Sequence, residues 1–210
     1  MKCSRCDSPV NDTARFCENC GTPLVGHDRQ ERIVHAYLQE LAGNMDAAAA
    51  EFEAMVDEGD EDSVSATVRK HLGNLHFRLG HLRRAREHLG RACELQPENA
   101  TLWHDMGVVQ YYAADFDGAT DSFSNALKRD PGMLLAYFWL GNALYHRGDL
   151  TGAIEAFRTL IGLHPNFTIA RFHLGVIYAR QGDQEKAAEE FRRVLLENPE
   201  DAAAQFYVSA

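Results

Sequence analysis

From residue 66 onward, apolar residues recur at three- and four-residue intervals, the period of a helix that buries one face. The stretches LWHDMGVVQYYA (102–113), AYFWLGNALYHR (136–147) and ARFHLGVIYARQ (170–181) each predict one helix. GATDSFSNALKR (118–129), GAIEAFRTLIGL (152–163) and KAAEEFRRVLLE (186–197) each predict a second, with a turn between the two members of every pair. Gly148-Asp149 and Gly182-Asp183 put a permissive residue after the first helix and a side-chain acceptor before the second, and Gly43-Asn44 repeats the arrangement upstream. Pro97, Pro131, Pro165 and Pro199 close the second helices, because proline has no N–H to donate and disfavours α backbone at the residue before it.

These signals keep one register. Gly73, Gly107, Gly141 and Gly175 are spaced by 34, as are Ala85, Ala119, Ala153 and Ala187, and the four prolines. Small residues at a helix crossing let two antiparallel helices approach closely, so the glycine and alanine registers have a packing reason. The pattern resembles the tetratricopeptide repeat family. Trp103, Gly107, Ala119, Phe123, Ala126 and Pro131 carry the resemblance best. Leu140, Gly141, Leu144, Ala153, Phe157 and Pro165 follow, as do Leu174, Gly175, Tyr178, Ala187, Phe191 and Pro199, with Leu160 and Val194 replacing the second alanine. In the first repeat, Leu72, Gly73, Ala85, Leu89, Ala92 and Pro97 match. Repeats are expected at 66–99, 100–133, 134–167 and 168–201. Residues 26–65 read as a linker and a degenerate hairpin with Gly43, Ala48 and Phe52 in register, opened by a capping box of Asp28 and Glu31 and left through the acidic run DEGDED (57–62). Residues 202–210 read as a partial helix or cap. The expected fold is mainly α: a right-handed α-solenoid, its first helices lining a concave groove.

Composition supports a folded, soluble chain: 210 residues, 45% hydrophobic and 25% charged. The net charge is −10, and residues 29–65 concentrate it, with two basic side chains against ten acidic ones. That balance excludes a chain-wide grip on phosphate, which needs clustered Lys and Arg. The first twenty residues hold six charged side chains among the cysteines, leaving no apolar core for a signal peptide, and no later window suits a membrane span. A cytoplasmic protein without membrane insertion is expected.

Four of the five cysteines lie at the front, Cys3 and Cys6, then Cys17 and Cys20, as C-x2-C, ten residues, C-x2-C. Two such turns facing each other aim four thiolates at one point, the tetrahedral cage that Zn2+ accepts; the same thiolates would also hold iron. CSRCDSPVNDTARFCENCGTPL (3–24) resembles the short zinc ribbon found at the N-terminus of many bacterial and archaeal proteins, with Phe16, Gly21, Pro23 and Leu24 in pattern and Asp7 where glycine is usual. Residues 1–25 are therefore expected to fold around one structural zinc per chain. All four coordination positions come from protein, so no site is left for water or substrate.

Five positions of each first helix should face the groove. They include Lys70, Asn74, Phe77 and Arg78; His104, Val108, Tyr111 and Tyr112; Phe138, Asn142, Tyr145 and His146; then Phe172, Val176 and Arg180. Aromatic, amide, His and Arg groups together are the mix enriched at binding hot spots. Lys70 and Asn74 resemble half of the carboxylate clamp by which some family members hold acidic chaperone tails, but Asp105, Leu135 and Trp139 stand where its other groups belong. A peptide or loop with apolar anchors, and one negative group near Lys70 and Arg78, fits better. No catalytic motif stands out: there is no nucleophile elbow, phosphate-cradling loop or H-E-x-x-H, and no two histidines are i, i+4. Cys93 reads as a small buried residue. The expected function is a non-enzymatic adaptor binding a protein or peptide. The alternatives are a transcription- or nucleic-acid-associated factor that uses the ribbon as its contact, and an assembly protein that forms homo-oligomers through a solenoid end.

Overall fold

The computed structural model describes residues 2–3, 5–10, 16–21, 29–57 and 65–209. Asp28 of the expected capping box, and most of the acidic run 57–62, lie outside the described residues. Eleven helices follow in series among those described: α1 (Arg29–Leu41), α2 (Met45–Asp57), α3 (Ala66–Arg78), α4 (Leu82–Leu95), α5 (Ala100–Tyr112), α6 (Phe116–Arg129), α7 (Leu134–Arg147), α8 (Leu150–Leu163), α9 (Thr168–Gln181), α10 (Gln184–Glu197) and α11 (Ala202–Ser209).

The second helices begin two residues before the apolar pattern suggests. On α6, α8 and α10 the N-caps are aspartates: Asp115, Asp149 and Asp183 accept from the backbone N–H of Gly118 (3.1 Å), Gly152 (2.9 Å) and Lys186 (3.2 Å), satisfying one orphan donor each. The helices end at Leu95, Arg129, Leu163 and Glu197, two residues before each proline, and the intervening Gln96, Asp130, His164 and Asn198 take non-helical backbone near φ −135°. The proline carbonyls are used by the following unit: Trp103 Nε1 donates to Pro97 O at 2.7 Å, an Arg171 N–H to Pro165 O at 3.0 Å, and Gln205 Nε2 to Pro199 O at 2.8 Å.

Each helix packs on the next in sequence, and the first helices of neighbouring hairpins also touch, α3 on α5 and α5 on α7. The core is therefore a seam of buried apolar side chains running between hairpins rather than one central cluster. Phe52, Phe123, Phe157 and Phe191 are fully buried at matching places on α2, α6, α8 and α10. At the far end, the Tyr207 ring of α11 stacks on Phe191, with centroids 4.4 Å apart and planes 7° apart. The result is the α-solenoid read from the sequence, with α11 lying on its last hairpin.

Candidate functional site

The four cysteines converge. Cys3 Sγ lies 3.6 Å from Cys20 Sγ and Cys6 Sγ 3.5 Å from Cys17 Sγ, and all four sulfurs are within 4.8 Å of one another. Zinc–thiolate bonds of about 2.3 Å at tetrahedral angles demand sulfurs roughly 3.8 Å apart, so the cluster has the dimensions of a zinc cage. The two knuckles are built alike. The Asp7 N–H donates to Cys3 O at 3.0 Å and the Gly21 N–H to Cys17 O at 2.8 Å. Asp7 takes left-handed backbone at φ 57°, as Gly21 does at φ 71°, which is why glycine is usual there and why its replacement leaves the ligands in place. Ser8 sets the electrostatics of one corner: its side-chain and backbone hydrogen bonds to Cys6 bring that thiol down to about 6, whereas desolvation pushes Cys17 up to about 11. The Phe16 ring sits 4.9 Å from that of His35, joining this cluster to α1.

The second candidate surface is the face carried by the first helices. Here the structure gathers Phe77, Tyr112, Trp139 and Tyr111 into a chain of rings: Phe77 to Tyr112 is 5.2 Å, Tyr112 to Trp139 5.9 Å and Trp139 to Tyr111 5.2 Å. Tyr111 reaches His146 at 5.6 Å, His146 reaches Tyr145 at 5.5 Å, and the Arg180 guanidinium lies 5.2 Å from the Tyr145 ring centre. Tyr112 is 56% exposed at the middle of this run. Burial first, and Tyr112 second, push the Tyr111 hydroxyl above its ordinary pKa, so it remains a neutral donor.

Other residues read as groove contacts are engaged within the protein. Lys70 Nζ is 3.5 Å from Asp105 Oδ2, Asn74 Nδ2 donates to the same oxygen at 3.3 Å, and Arg78 pairs with Glu40. His104 Nδ1 lies 3.2 Å from Asp105 Oδ1. Asn142 is only 6% exposed and gives its amide to Phe138 O at 2.8 Å, bracing its own helix. Phe138 packs toward Phe157, Phe167 and His173, and Phe172 sets its edge on Phe191 at 5.4 Å. Val108 and Val176 are half-buried. Trp139, in the sequence a departure from the clamp pattern, lies one position outside the five groove positions, and its indole is large enough to reach Tyr111, Tyr112 and Phe138.

Models of the tetratricopeptide repeat match residues 66–109, 104–166 and 144–206, and a zinc-ribbon domain model matches residues 2–24. No curated protein matches the chain. Solved structures share the fold. A MamA structure from Desulfovibrio magneticus RS-1 is 21% identical, with 82% of this chain and 97% of that one covered at TM-score 0.74. YrrB, described as a TPR protein with an unusual peptide-binding site, is 22% identical, with 87% and 93% covered at 0.76. A tetratricopeptide repeat protein from Parabacteroides merdae ATCC 43184 is 16% identical, with 85% and 70% covered at 0.77.

Proposed function

Because residues 66–206 belong to the tetratricopeptide repeat family and residues 2–24 are a zinc-ribbon domain, we propose that the chain is an interaction adaptor that holds a segment of another protein against its first helices. The observation that carries this reading is the ring chain Phe77–Tyr112–Trp139–Tyr111, continued by His146, Tyr145 and Arg180. Large amphipathic rings with an exposed member are the side chains that anchor partners. Asp105 and Glu40 neutralise the cations at the α3 end, so the favoured partner segment presents apolar anchors rather than a free carboxylate there. At the other end Arg180 is exposed and available to a carbonyl or carboxylate.

In this reading the chain performs no catalysis. Cys3, Cys6, Cys17 and Cys20 hold one zinc ion that gives a segment too small for a hydrophobic core its fold. A four-thiolate site survives in a reducing compartment, in keeping with a cytoplasmic protein. No described helix is long and apolar enough to cross a membrane.

Phe138 is a poor choice for testing the face, because its ring packs into the seam between hairpins. Tyr112→Ala combined with Tyr145→Ala removes two anchors from the accessible run instead. Partner capture by the double variant should fall at least about tenfold, as loss of hot-spot rings does, with an unchanged helical signal. Capture equal to that of the unaltered protein would place the contact elsewhere.

A further inference from the structure

In two hairpins the eleventh residue of the first helix meets a residue twelve places later on the second. In the α5/α6 hairpin these are Gln110 and Ser122, and Ser122 Oγ donates to Gln110 Oε1 at 2.6 Å. In the α3/α4 hairpin the same places hold His76 and His88, whose rings stack with centroids 5.5 Å apart and planes 11° apart. A third group arrives from the preceding hairpin: Glu53 on α2 puts Oε1 2.9 Å from His76 Nε2. A carboxylate only accepts, so Nε2 carries the hydrogen and Nδ1 is a bare lone pair. His76 is 1% exposed, and this Nδ1 has no hydrogen-bond partner. One donor atom from each of Glu53, His76 and His88 lies within 4.8 Å of the other two.

We infer that Glu53, His76 and His88 form a second metal site, taking a divalent ion of the zinc, nickel or copper class with the two imidazoles as nitrogen ligands and Glu53 as their carboxylate partner. Two imidazoles and a carboxylate are the donor set these ions accept. The site differs in kind from the cysteine cluster. Three protein groups leave a fourth position open, whereas the four thiolates close theirs.

Positive neighbours compete with the ion. Arg84 lies 3.1 Å from Glu53 Oε1, buried Arg69 acts on His88, and the His81 ring is 5.7 Å from that of His76. Arg84 is the displaceable one: its side chain is 55% exposed, and an ion at Glu53 takes over the role it plays there. Removing it should therefore strengthen the site rather than weaken it.

Glu53 and His88 are partly exposed, so replacing them tests the site without emptying the core. The full chain, saturated with zinc and freed of loosely held ion, is expected to retain two zinc ions. Glu53→Gln and His88→Ala should weaken the second ion by about tenfold or more, the effect of losing a ligand or its oriented partner. Both variants should keep the thiolate-to-metal absorption of a cobalt-loaded ribbon, and Arg84→Ala should bind the second ion more tightly. One zinc per unaltered chain, or two held with undiminished affinity in both weakened variants, would overturn the assignment.

Discussion

Gly141 on α7 lies so close to the Phe157 ring on α8 that a Cβ at residue 141 would fall 2.7 Å from Phe157 Cζ. The same contact recurs at Gly107 with Phe123 and Gly175 with Phe191, each at 2.7 Å, and with a leucine at Gly73. The phenylalanine rings are fully buried and cannot swing aside. Overpacking costs about 1–3 kcal/mol, and alanine returns about 1 kcal/mol of helix propensity. Gly141→Ala should thus destabilise by up to about 2 kcal/mol, seen as a lower urea midpoint. Gly90 within α4 is the control: a Cβ there meets only Met106 Cε at 3.9 Å, so Gly90→Ala should raise the midpoint.

The hairpin turns repeat a left-handed residue, Gly43, Gly80, Gly148 and Gly182 at φ between 77° and 91°, with Ala114 as the exception at φ 59°. A Cβ in that region costs about 1–2 kcal/mol, part of which glycine gives back through unfolded-chain entropy. Ala114→Gly should therefore raise the thermal midpoint, and Gly148→Ala should lower it. If both moved in the same direction, the turn geometry would not be what limits stability there.

Proline and glycine announce a helix stop by their own backbone chemistry, and Asp149 and Asp183, legible as acceptors after a turn glycine, do cap the helices that follow. The Asp115 cap was less legible, because alanine rather than glycine stands before it. The 34-residue spacing also fixes which positions of the first helices correspond from repeat to repeat. What spacing could not show was which side chains satisfy each other. Lys70, Asn74 and Asp105 come from different hairpins, and their mutual neutralisation appears only once α3 packs on α5. The histidine cluster was hidden for the same reason. A search for i, i+4 pairs finds ligands on one helix, and Glu53, His76 and His88 sit on three.

Asp105 offers a pH signature. Burial alone would raise its carboxyl, but bonds from His104, Lys70 and Asn74 outweigh that and hold it below the usual range. A depressed folded-state pKa contributes stability that is present above the unfolded value, about 3.9, and is lost as pH falls through the folded one. Asp105→Asn should flatten the acid limb of the stability profile below about pH 4. It should also release Lys70, so that an acidic peptide binds the α3 end more tightly than it binds the unaltered protein, by a margin that shrinks with salt. No change in either measurement would show that the Lys70–Asp105 pair, at 3.5 Å, is not held in solution.

Zinc removal should separate the two parts of the chain. On the proposed zinc site, the ribbon's order rests on Cys3, Cys6, Cys17 and Cys20 meeting at one ion, since among the described residues of 2–21 the buried side chains are those of Cys3 and Cys17. The repeats share none of those ligands, and their stability is a sum over neighbouring hairpins. The Phe16 ring meets His35 on α1, at one end of that sum. A strong chelator, or Cys17→Ser, should open residues 1–25 to protease and collapse their amide dispersion, while helical ellipticity and the unfolding midpoint of α3 to α10 stay within error. A large fall in ellipticity would mean that the ribbon is a folding partner of the solenoid rather than an appended module. In that case the first hairpin, where the Phe16 ring meets His35, is where melting would begin.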